Sequence, residues 1–456
     1  MATYGIKSYI FESLRPTPEL SFAVRYLKCA GGIMITASHN PKEHNGYKVY
    51  DDTGCQLLPE AADQVVQYVN EVEDELNIKV FSDEEAYPYM TWIGEEVDEA
   101  YYKEVMAIEV NPGMDKSDFK IVFSPQHGTS NIAVRTCLTR LGYDLVPVLA
   151  QCAPDPDFSN TKSPNPEVSA SYELAIKKAK EVDADVVVIT DPDGDRLGVV
   201  AKHNGEYVLM SGNQSAAVYL EYILSQMKEK GTLPDNAVMY NTIVTSDLGE
   251  LVARSYGVDV EKTLTGFKFI GDKIRKYEQT HEKTFVFGYE ESYGCVIKDF
   301  VRDKDAVQAV LTAAEAGNFY KKQGKDLVDV LNELYAKHGT FKETQIALSK
   351  AGAAGAARIK EIMDNLRKDA PQEIGGVKVV KVEDYGNSTC SDGTTIQLPK
   401  SNVLKYYLED GSWIAARPSG TEPKCKFYFS IKGSDADDAA SKTEVFHKAM
   451  MEIIGE

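Results

Sequence analysis

The chain contains short, continuous apolar runs, each followed by a polar loop and then a helical repeat of apolar positions. The clearest runs cover residues 119–124, 185–190, 237–242 and 284–288, and they are rich in β-branched and aromatic residues. Runs of this length that are apolar on both faces are typical of buried parallel strands, and their alternation with helical segments indicates βα units. The pattern therefore predicts an α/β protein with parallel sheets over the first part of the chain.

The pattern changes after Gly339. Beyond it we predict a strand over residues 341–348, a helix over 351–367, further strands through Ile431 and a final helix, which is typical of a smaller α+β domain. Turn-forming residues at 111–113 and 231–235 mark two earlier boundaries. The predicted domains are thus residues 1–112, 113–231, 232–339 and 340–456, and a length of 456 residues fits three or four domains.

Composition narrows the possible functions. Hydrophobic residues make up 43% and charged residues 26%, as in ordinary folded globular proteins. The net charge of −20 repels nucleic acid and anionic membranes, so an anionic substrate needs a local cluster of cations. The seven cysteines never form a C-x-x-C pair, which argues against a zinc site or a disulfide framework. A signal-like N-terminus and a long apolar run are both lacking, and the default expectation is a cytoplasmic protein.

Three aspartates at alternate positions follow the apolar run 185–190, namely Asp191, Asp193 and Asp195. The intervening proline and glycine exclude a regular strand, so the aspartates are predicted to lie on a loop at the carboxyl end of a strand, where α/β proteins bind ligands. Carboxylate oxygens that converge on one point suit Mg²⁺.

An EF-hand loop also begins with alternating aspartates, but it needs Gly at its sixth position and Glu at its twelfth. This chain has Arg196 and Lys202 at those positions, so the EF-hand interpretation fails. A solvated acidic turn is the other alternative. It is disfavoured because three carboxylates at the end of an apolar strand repel one another without a counter-ion.

A second strand end carries a candidate nucleophile. The segment 36–41, Thr-Ala-Ser-His-Asn-Pro, follows the apolar residues 32–35 and contains Ser38. By itself this serine is better explained as a helix N-cap than as a nucleophile. Lys48 follows closely and brings an amine within reach of the same pocket, where it could serve a phosphate or a proton in transfer. That context favours the nucleophile.

Four further segments have weaker signals. Residues 416–424 combine a guanidinium, two hydroxyls and a glycine turn, which suits a phosphate nest or a simple turn equally well. Residues 287–294 place two carboxylates and a hydroxyl after a strand, which suits sugar hydroxyls or a solvated Glu pair. Residues 301–306 are predicted to open a helix, and residues 265–268 to form a compact turn that carries a cation.

Taken together and in this order, the segments resemble the α-D-phosphohexomutase superfamily, and most of all its phosphoglucomutase and phosphomannomutase members. Thr-Ala-Ser-His-Asn-Pro resembles the family's phosphoserine loop, Asp-Pro-Asp-Gly-Asp-Arg its metal loop, Glu-Glu-Ser its sugar loop and Arg-Pro-Ser-Gly-Thr-Glu-Pro its phosphate-binding loop. The resemblance covers essentially the whole chain. It implies three related α/β domains and a smaller fourth domain around a central cleft.

The resemblance also implies an activity, the interconversion of hexose 1-phosphate and hexose 6-phosphate through a hexose 1,6-bisphosphate. Glu-Glu-Ser followed by Gly294 is more like the glucose-type members, so glucose phosphate is favoured, with mannose and pentose phosphates as alternatives. Mg²⁺ is the implied cofactor, with glucose 1,6-bisphosphate as activator and intermediate. The implied partner is a small sugar phosphate, and no partner protein is suggested.

Residue roles follow from the same resemblance. Ser38 would carry the phosphoryl group, and Lys48 and Lys304 would act as general acid and base. Mg²⁺ would be bound by the phosphorylated Ser38 together with Asp191, Asp193 and Asp195. The substrate would be bound by His39, Arg196, Gly266, Lys268, Glu290, Ser292, Arg417, Ser419, Gly420 and Thr421.

The chain departs from the family pattern at its start. Family members begin with a glycine-rich Thr-(Ser/Ala)-Gly-x-Arg loop and further strands, and nothing similar stands upstream of Ala2. We therefore expect an incomplete first domain with an unpaired strand edge and one open side of the Ser38 pocket. Two other functions remain in view: a phosphatase or kinase with Asp191 as phosphoryl acceptor, and a sugar-phosphate binding protein without turnover.

Overall fold

The computed structural model describes residues 1–420 and 423–456. The chain divides into two compact units. The first comprises Met1–Asn241, Tyr256–Glu261 and Gly266–Val330, and the second comprises Thr242–Ser255, Lys262–Thr265 and Leu331–Glu456. Among the described residues, no helix is both long enough and apolar enough to cross a membrane.

The N-terminal part of the first unit contains two small sheets. Strands β1 and β4 pair in parallel, whereas β2 and β3 pair antiparallel. Helix α1 packs so closely on β2 that a Cβ atom added at Gly32 would lie 2.6 Å from the Val24 side chain. A cavity of about 900 Å³ with mainly apolar lining borders both β1 and β2. The elements are β1 Ser8–Phe11, α1 Thr17–Tyr26, β2 Gly31–Ile35, β3 Tyr47–Asp51, α2 Pro59–Asn70, α3 Asp83–Ala86, β4 Met90–Ile93 and α4 Glu95–Met106.

A five-stranded sheet follows, in the order β6-β5-β7-β8-β9. Strands β5, β6 and β7 run parallel, and β8 and β9 are added antiparallel. Every residue of the central strand β7 is buried, as its continuous apolar run predicts. The elements are β5 Lys120–Ser124, α5 Ser130–Arg140, β6 Asp144–Pro147, α6 Glu173–Val182, β7 Val186–Thr190, β8 Leu197–His203, β9 Glu206–Met210 and α7 Gly212–Glu229.

The next sheet has the strand order β11-β10-β12-β13. Helix α10 is buried along almost its whole length because it consists largely of alanine and other small apolar residues. The elements are β10 Ala237–Thr242, α8 Asp247–Ser255, β11 Asp259–Thr263, α9 Phe267–Thr280, β12 Thr284–Glu290, β13 Gly294–Val296, α10 Ala306–Lys321 and α11 Leu327–His338. The predicted strands 119–124, 185–190, 237–242 and 284–288 are thus confirmed, as β5, β7, β10 and β12.

Two local predictions in this region are wrong in detail. Residues 301–305 do not open a helix: α10 begins at Ala306, and the Asp305 side chain caps it by accepting hydrogen bonds from Val307 and Gln308. Residues 265–268 are not a separate turn. Gly266 precedes α9, and Lys268 lies in the first turn of that helix. The start of α10 depends on the Asp305 cap and the start of α9 on the backbone conformation of Gly266, and charge patterning reveals neither.

The C-terminal part of the second unit is an antiparallel sheet of seven strands in the order β14-β20-β19-β18-β16-β15, with β17 beside β16. Helices α12 and α13 cover one face through a core that includes Met363, Phe446 and Phe427. The elements are β14 Thr340–Ser349, α12 Gly352–Lys368, β15 Glu373–Ile374, β16 Val377–Asp384, β17 Thr389–Cys390, β18 Leu404–Leu408, β19 Trp413–Pro418, β20 Lys424–Gly433 and α13 Ala436–Ile454. The predicted α+β organisation is confirmed.

Candidate active site

Ser38 lies in a strained turn after β2. Its backbone φ is 53°, in the left-handed region that a residue with a Cβ atom rarely adopts. The Ser38 N–H donates to the Thr36 hydroxyl at 2.8 Å, which holds the turn. Ser38 therefore stands in a turn rather than at the start of a helix. Strain of this kind is maintained where the surroundings fix the residue, commonly at functional sites.

The aspartate loop connects β7 and β8. The loop is organised by Asp191, whose Oδ1 accepts hydrogen bonds from the backbone N–H groups of Asp195 (3.0 Å) and Arg196 (2.9 Å). Gly194 has a φ of 70°, which glycine adopts without strain. Asp191, Asp193 and Asp195 are all buried, with exposures of 0%, 4% and 2%.

The structure brings the Ser38 turn and the aspartate loop together, although 153 residues separate Ser38 from Asp191. The Ser38 Oγ lies 2.9 Å from Asp193 Oδ1 and 3.1 Å from Asp191 Oδ2. It also lies 3.1 Å from the Nδ1 of His39. A hydroxyl has a single proton and can donate to only one of the two carboxylate oxygens at a time. The arrangement therefore has more acceptors than the serine can satisfy.

Two lysines supply positive charge to the same loop. The Nζ of Lys48 lies 2.9 Å from both Asp193 Oδ2 and Asp195 Oδ2, and the Nζ of Lys304 lies 3.1 Å from Asp195 Oδ2. Burial opposes the charged form of Lys48, yet Asp195 and Asp193 raise its pKa well above the usual value. Burial likewise opposes ionisation of Asp195, but Lys304 and Lys48 hold its pKa well below the usual range.

The donor set fits a hard divalent cation. Carboxylate oxygens of the three aspartates lie within 4.8 Å of one another. Burial together with the neighbouring Asp193 and Asp195 raises the pKa of Asp191 well above its usual value, which reflects repulsion between the carboxylates. The buried Oδ1 of Asp195 accepts no hydrogen bond from the described residues. An ion bound by these oxygens would satisfy that atom and relieve the repulsion.

Arg196 and His39 lie at the edge of the cluster. The Arg196 Nη1 donates to Glu167 Oε1 at 2.5 Å, and its Nε lies 3.8 Å from Asp195 Oδ1. Burial, assisted by Arg196, lowers the pKa of His39 to about 4. His39 is therefore neutral near pH 7 and can either accept or donate one hydrogen bond beside Ser38.

The predicted sugar-binding residues are placed around the end of β12. Glu290 is its last residue, is 5% exposed, and accepts a hydrogen bond from the Gly266 N–H at 2.6 Å. Gly266 has a φ of 117°, which disfavours any other residue there. Ser292 lies half-buried in the turn between β12 and β13. Burial lowers the pKa of Lys268, whose Nζ lies 5.7 Å from the Phe269 ring centroid.

The described residues of the predicted phosphate-binding loop lie where β19 ends and β20 begins, in the second unit. Arg417 lies in β19 opposite Lys426, and the Ser419 N–H donates to the carbonyl of Lys424 at 2.8 Å. Ser419 and Gly420 are exposed, and a cavity of about 410 Å³ lies beside them. Thr421 lies outside the described residues.

Sequence reasoning missed several residues that contact the site. Thr17 donates to Asp193 twice, from its hydroxyl to Oδ2 at 3.2 Å and from its N–H to the carbonyl at 2.8 Å. Glu167 holds Arg196, and Asp303 lies against Lys304. Only Asp303 had a sequence signal, its position next to a candidate lysine. Nothing in the sequence links Thr17 or Glu167 to residues so far along the chain.

Family models match all four parts of the chain. The models of phosphoglucomutase/phosphomannomutase alpha/beta/alpha domains I, II and III match residues 1–76, 99–205 and 211–338. The model of the phosphoglucomutase/phosphomannomutase C-terminal domain matches residues 356–448. Along the chain, the four matches contain in turn the segments of Ser38, Asp191, Glu290 and Arg417.

Similar proteins include a phosphoglucomutase from Staphylococcus epidermidis, which is 39% identical over 450 residues, covering 97% of this chain and 81% of the relative. A phosphoglucomutase from Staphylococcus aureus is 39% identical over 449 residues, covering 97% and 80%. Among solved structures, the phosphoglucomutase parafusin from Paramecium has a TM-score of 0.70 at 19% identity, covering 98% of this chain and 84% of its own.

A second solved structure is an N-acetylphosphoglucosamine mutase from Aspergillus fumigatus, in complex with GlcNAc-6P and magnesium. Its TM-score is 0.58 at 14% identity, covering 96% of this chain and 92% of its own. At these identities the solved structures show a common fold.

Proposed function

The chain belongs to the phosphoglucomutase/phosphomannomutase family of the α-D-phosphohexomutase superfamily and is a phosphosugar mutase, and from this we propose that Ser38 carries the phosphoryl group between two positions of glucose phosphate. The observation that carries the proposal is the position of the Ser38 Oγ, 2.9 and 3.1 Å from carboxylate oxygens of Asp193 and Asp191. A phosphoryl group on this oxygen would lie beside the aspartate loop and its lysines.

The proposed reaction has two transfers. The free hydroxyl oxygen of the hexose monophosphate bonds to the phosphorus as the bond from phosphorus to Ser38 Oγ breaks. The charged amine of Lys48 or Lys304 supplies a proton to the departing serine oxygen, and the neutral amine formed in this way takes up the proton that the attacking hydroxyl releases. The bisphosphate then turns around, and the reverse transfer returns its other phosphoryl group to Ser38. Phosphoryl transfer depends mainly on positioning and on neutralising the charge of the phosphoryl oxygens.

Mg²⁺ is the proposed cofactor. Asp191, Asp193, Asp195 and the phosphorylated Ser38 would hold it, because they provide the hard oxygen ligands that this ion prefers. When bound, the ion would supply positive charge to the phosphoryl oxygens. The structural neighbour from Aspergillus fumigatus was solved with magnesium and a sugar phosphate, which agrees with this choice of ion.

Substrate binding is assigned to residues that lie apart in the sequence. Glu290 and Ser292 would accept hydrogen bonds from sugar hydroxyls, with Gly266 fixing the Glu290 carboxylate. His39, Arg196 and Lys268 would line the pocket. The phosphate that is not reacting would be held by Arg417, Ser419, Gly420 and Thr421. We assign glucose phosphate as the substrate because the relatives at 39% identity are named phosphoglucomutase. Mannose and pentose phosphates are the alternatives.

The first experiment locates the phosphoryl group. The protein is incubated with glucose 1,6-bisphosphate and its peptides are analysed by mass spectrometry. We expect phosphate on the peptide that contains Ser38, none in Ser38→Ala, and unchanged labelling in Ser82→Ala, whose serine only caps the short helix α3. Phosphate on Asp191 instead would replace the mutase mechanism with that of a phosphatase or kinase.

The second experiment measures turnover. Conversion of glucose 1-phosphate to glucose 6-phosphate is followed in a coupled assay with Mg²⁺ and glucose 1,6-bisphosphate, beside mannose 1-phosphate and ribose 1-phosphate. We expect the highest kcat/KM for glucose 1-phosphate. Calorimetric binding of glucose 1-phosphate without turnover would instead identify a binding protein.

A further inference from the structure

The loop between β13 and α10 carries two aspartates that each accept a hydrogen bond from a buried tyrosine. The Tyr50 hydroxyl donates to Asp303 Oδ2 at 2.6 Å. The Tyr101 hydroxyl lies 2.9 Å from both carboxylate oxygens of Asp305. None of the four residues is more than 1% exposed. Two chemically equivalent pairs therefore stand two residues apart in one loop.

The two aspartates have different further contacts. Asp305 uses its carboxylate to cap α10, by accepting hydrogen bonds from the N–H groups of Val307 (2.9 Å) and Gln308 (3.1 Å). The second carboxylate oxygen of Asp303 faces Lys304 instead. Its Oδ1 accepts a hydrogen bond from the Lys304 N–H at 2.8 Å and lies 3.3 Å from the Lys304 Nζ. The first pair supports a helix and the second holds a side chain of the site.

The Lys304 side chain follows a narrow path. A Cβ atom added at Gly294 would lie 2.0 Å from Lys304 Cδ, so the lysine passes directly over this glycine. Its Nζ lies 5.6 Å from the Phe267 ring centroid and 3.1 Å from Asp195 Oδ2. The amine is therefore held between Asp195 on one side and Asp303 on the other.

Strand β3 connects this arrangement to the second lysine. Lys48 and Tyr50 stand two residues apart in β3, so their side chains leave the same face of the strand. Lys48 reaches the carboxylates of Asp193 and Asp195, while Tyr50 reaches Asp303. Strand β3 thus directs the Lys48 amine to the aspartate loop. Through Tyr50 it also fixes Asp303, which contacts the Lys304 amine.

We propose that Asp303 and Tyr50 are positioning residues, which hold the Lys304 amine in the orientation needed for proton transfer. The inference rests on the proposed function, in which Lys304 exchanges protons with the reacting oxygens. The Tyr50 hydroxyl fixes the rotamer of the Asp303 carboxylate, and the carboxylate fixes the amine. Burial of a carboxylate is unfavourable unless it is paired. Loss of its contact with Tyr50 or with Lys304 would therefore displace the Asp303 carboxylate and the charged groups beside it.

The test compares Tyr50→Phe and Asp303→Asn with Tyr101→Phe, which removes the equivalent hydrogen bond at the helix cap. Tyr50→Phe and Asp303→Asn should each lower kcat by about 10- to 100-fold with KM changed by less than about twofold, because transition-state positioning is lost and substrate contacts are kept. Tyr101→Phe should lower the thermal midpoint about as much as Tyr50→Phe does and leave kcat unchanged. An equal loss of kcat in Tyr101→Phe would overturn the inference.

A double-mutant cycle with Lys304→Met separates positioning from general support. If Asp303 acts through Lys304, Asp303→Asn should have no further effect on the transfer rate in the Lys304→Met background. The same fold-loss in both backgrounds would show that Asp303 acts independently of the lysine and would overturn the inference. The readout is the single-turnover transfer from phosphorylated Ser38 to glucose 1-phosphate.

Failure of the proposed function gives a different result. Without labelling of Ser38 by glucose 1,6-bisphosphate, the mutase mechanism and the positioning roles both fall. With normal labelling of Ser38 and an unchanged transfer rate in Asp303→Asn, only the positioning inference falls. Near-ultraviolet circular dichroism of each variant shows that it is folded.

Discussion

At the scale of single residues, the site depends on close approaches that only particular side chains allow. Ser38 has a left-handed backbone that presents its oxygen to two carboxylate oxygens and to the Nδ1 of His39. Gly294 leaves the space through which Lys304 passes. Asp191 has two tasks, since one oxygen holds the backbone of its own loop and the other faces Ser38. Small changes at these positions therefore have specific consequences.

Gly294→Ala is expected to lower activity more than stability. The added methyl group would occupy the space of Lys304 Cδ, so the lysine must move while the strand itself remains. We expect kcat to fall by at least about tenfold, because displacements near 1 Å in a site have effects of that size. Steady-state kinetics and thermal midpoints measure the two effects. Gly113→Ala is the control, because a Cβ atom there meets nothing within 4 Å. An unchanged kcat in Gly294→Ala would contradict the expectation.

Asp191→Asn is expected to abolish the stabilisation by Mg²⁺ while keeping the loop. The amide oxygen can still accept the two backbone hydrogen bonds, but one charged ligand is lost and the carboxylate repulsion decreases. Mg²⁺ at millimolar concentration should raise the thermal midpoint of the parent by about 2 °C relative to EDTA, as mass action predicts for a weakly bound ligand. Asp326→Asn, in the separate group of His203, Asp326 and Asp329, should leave that shift intact. An equal Mg²⁺ shift in Asp191→Asn would count against the proposed site.

At the scale of elements, the sheet of the second unit holds a lysine in its interior. Lys405 in β18 is fully buried, donates to the carbonyl of Ile243 at 2.7 Å, and lies 3.8 Å from the ring centroid of Trp413 in β19. The Trp413 Nε1 donates to Asp247 at the start of α8. These contacts connect β18 and β19 with α8 and the residues before it. Burial, assisted by the nearby Lys262, lowers the pKa of Lys405 to about 7.

The sign of the resulting pH dependence follows from linkage. Between pH 7 and about 10.5 the folded protein holds Lys405 neutral while the unfolded chain holds it charged, so unfolding takes up a proton. Stability of this unit should therefore rise with pH across that window, by on the order of 5 kcal/mol in full. Lys405→Met should lack the rise.

Urea unfolding at pH 7 and pH 9 measures the effect, with Trp413 fluorescence as the local probe in a Trp92→Phe background. Trp92 and Trp413 are the two tryptophans of the chain, so this background leaves one reporter beside Lys405. Lys448→Met removes an exposed lysine of α13, with a side-chain exposure of 80%, and is the control. A rise with pH in Lys405→Met equal to that of the parent would show that other groups cause it.

At the scale of the whole molecule, the net charge of −20 opposes the approach of an anionic sugar phosphate. Lys48 and Lys304 are already engaged with aspartates of the site, so they provide little long-range attraction. Local cations and backbone groups must then retain a substrate that the overall field repels.

Salt is therefore expected to help substrate capture. Raising KCl from 20 to 200 mM shortens the Debye length from roughly 20 to 7 Å and screens the repulsive field. We expect kcat/KM for glucose 1-phosphate to rise about two- to threefold over this range at constant free Mg²⁺. A fall in kcat/KM would mean that attraction by local cations outweighs the repulsion by the rest of the surface.

Much of the fold followed from the sequence because apolar runs and helical repeats are local signals. The runs that became β5, β7, β10 and β12 were continuous and apolar, and strands buried on both faces require that pattern. Helix starts were less accurate. The prediction for residues 301–306 missed Asp305 as the cap of α10, because the acceptor role of a side chain depends on backbone geometry.

The sequence by itself determined the chemistry available: three alternating aspartates at a strand end, a serine after another strand, and nearby lysines. These groups could be recognised because a polar loop after an apolar run marks the end of a strand, and because clustered carboxylates in such a loop need a counter-ion. Only the tertiary structure decided which groups meet. Hydrogen bonds from Ser38 to the aspartate loop, from Tyr50 to Asp303 and from Thr17 to Asp193 join residues more than 150 positions apart. Such contacts arise from the packing of separate elements, and no periodicity along the chain encodes them.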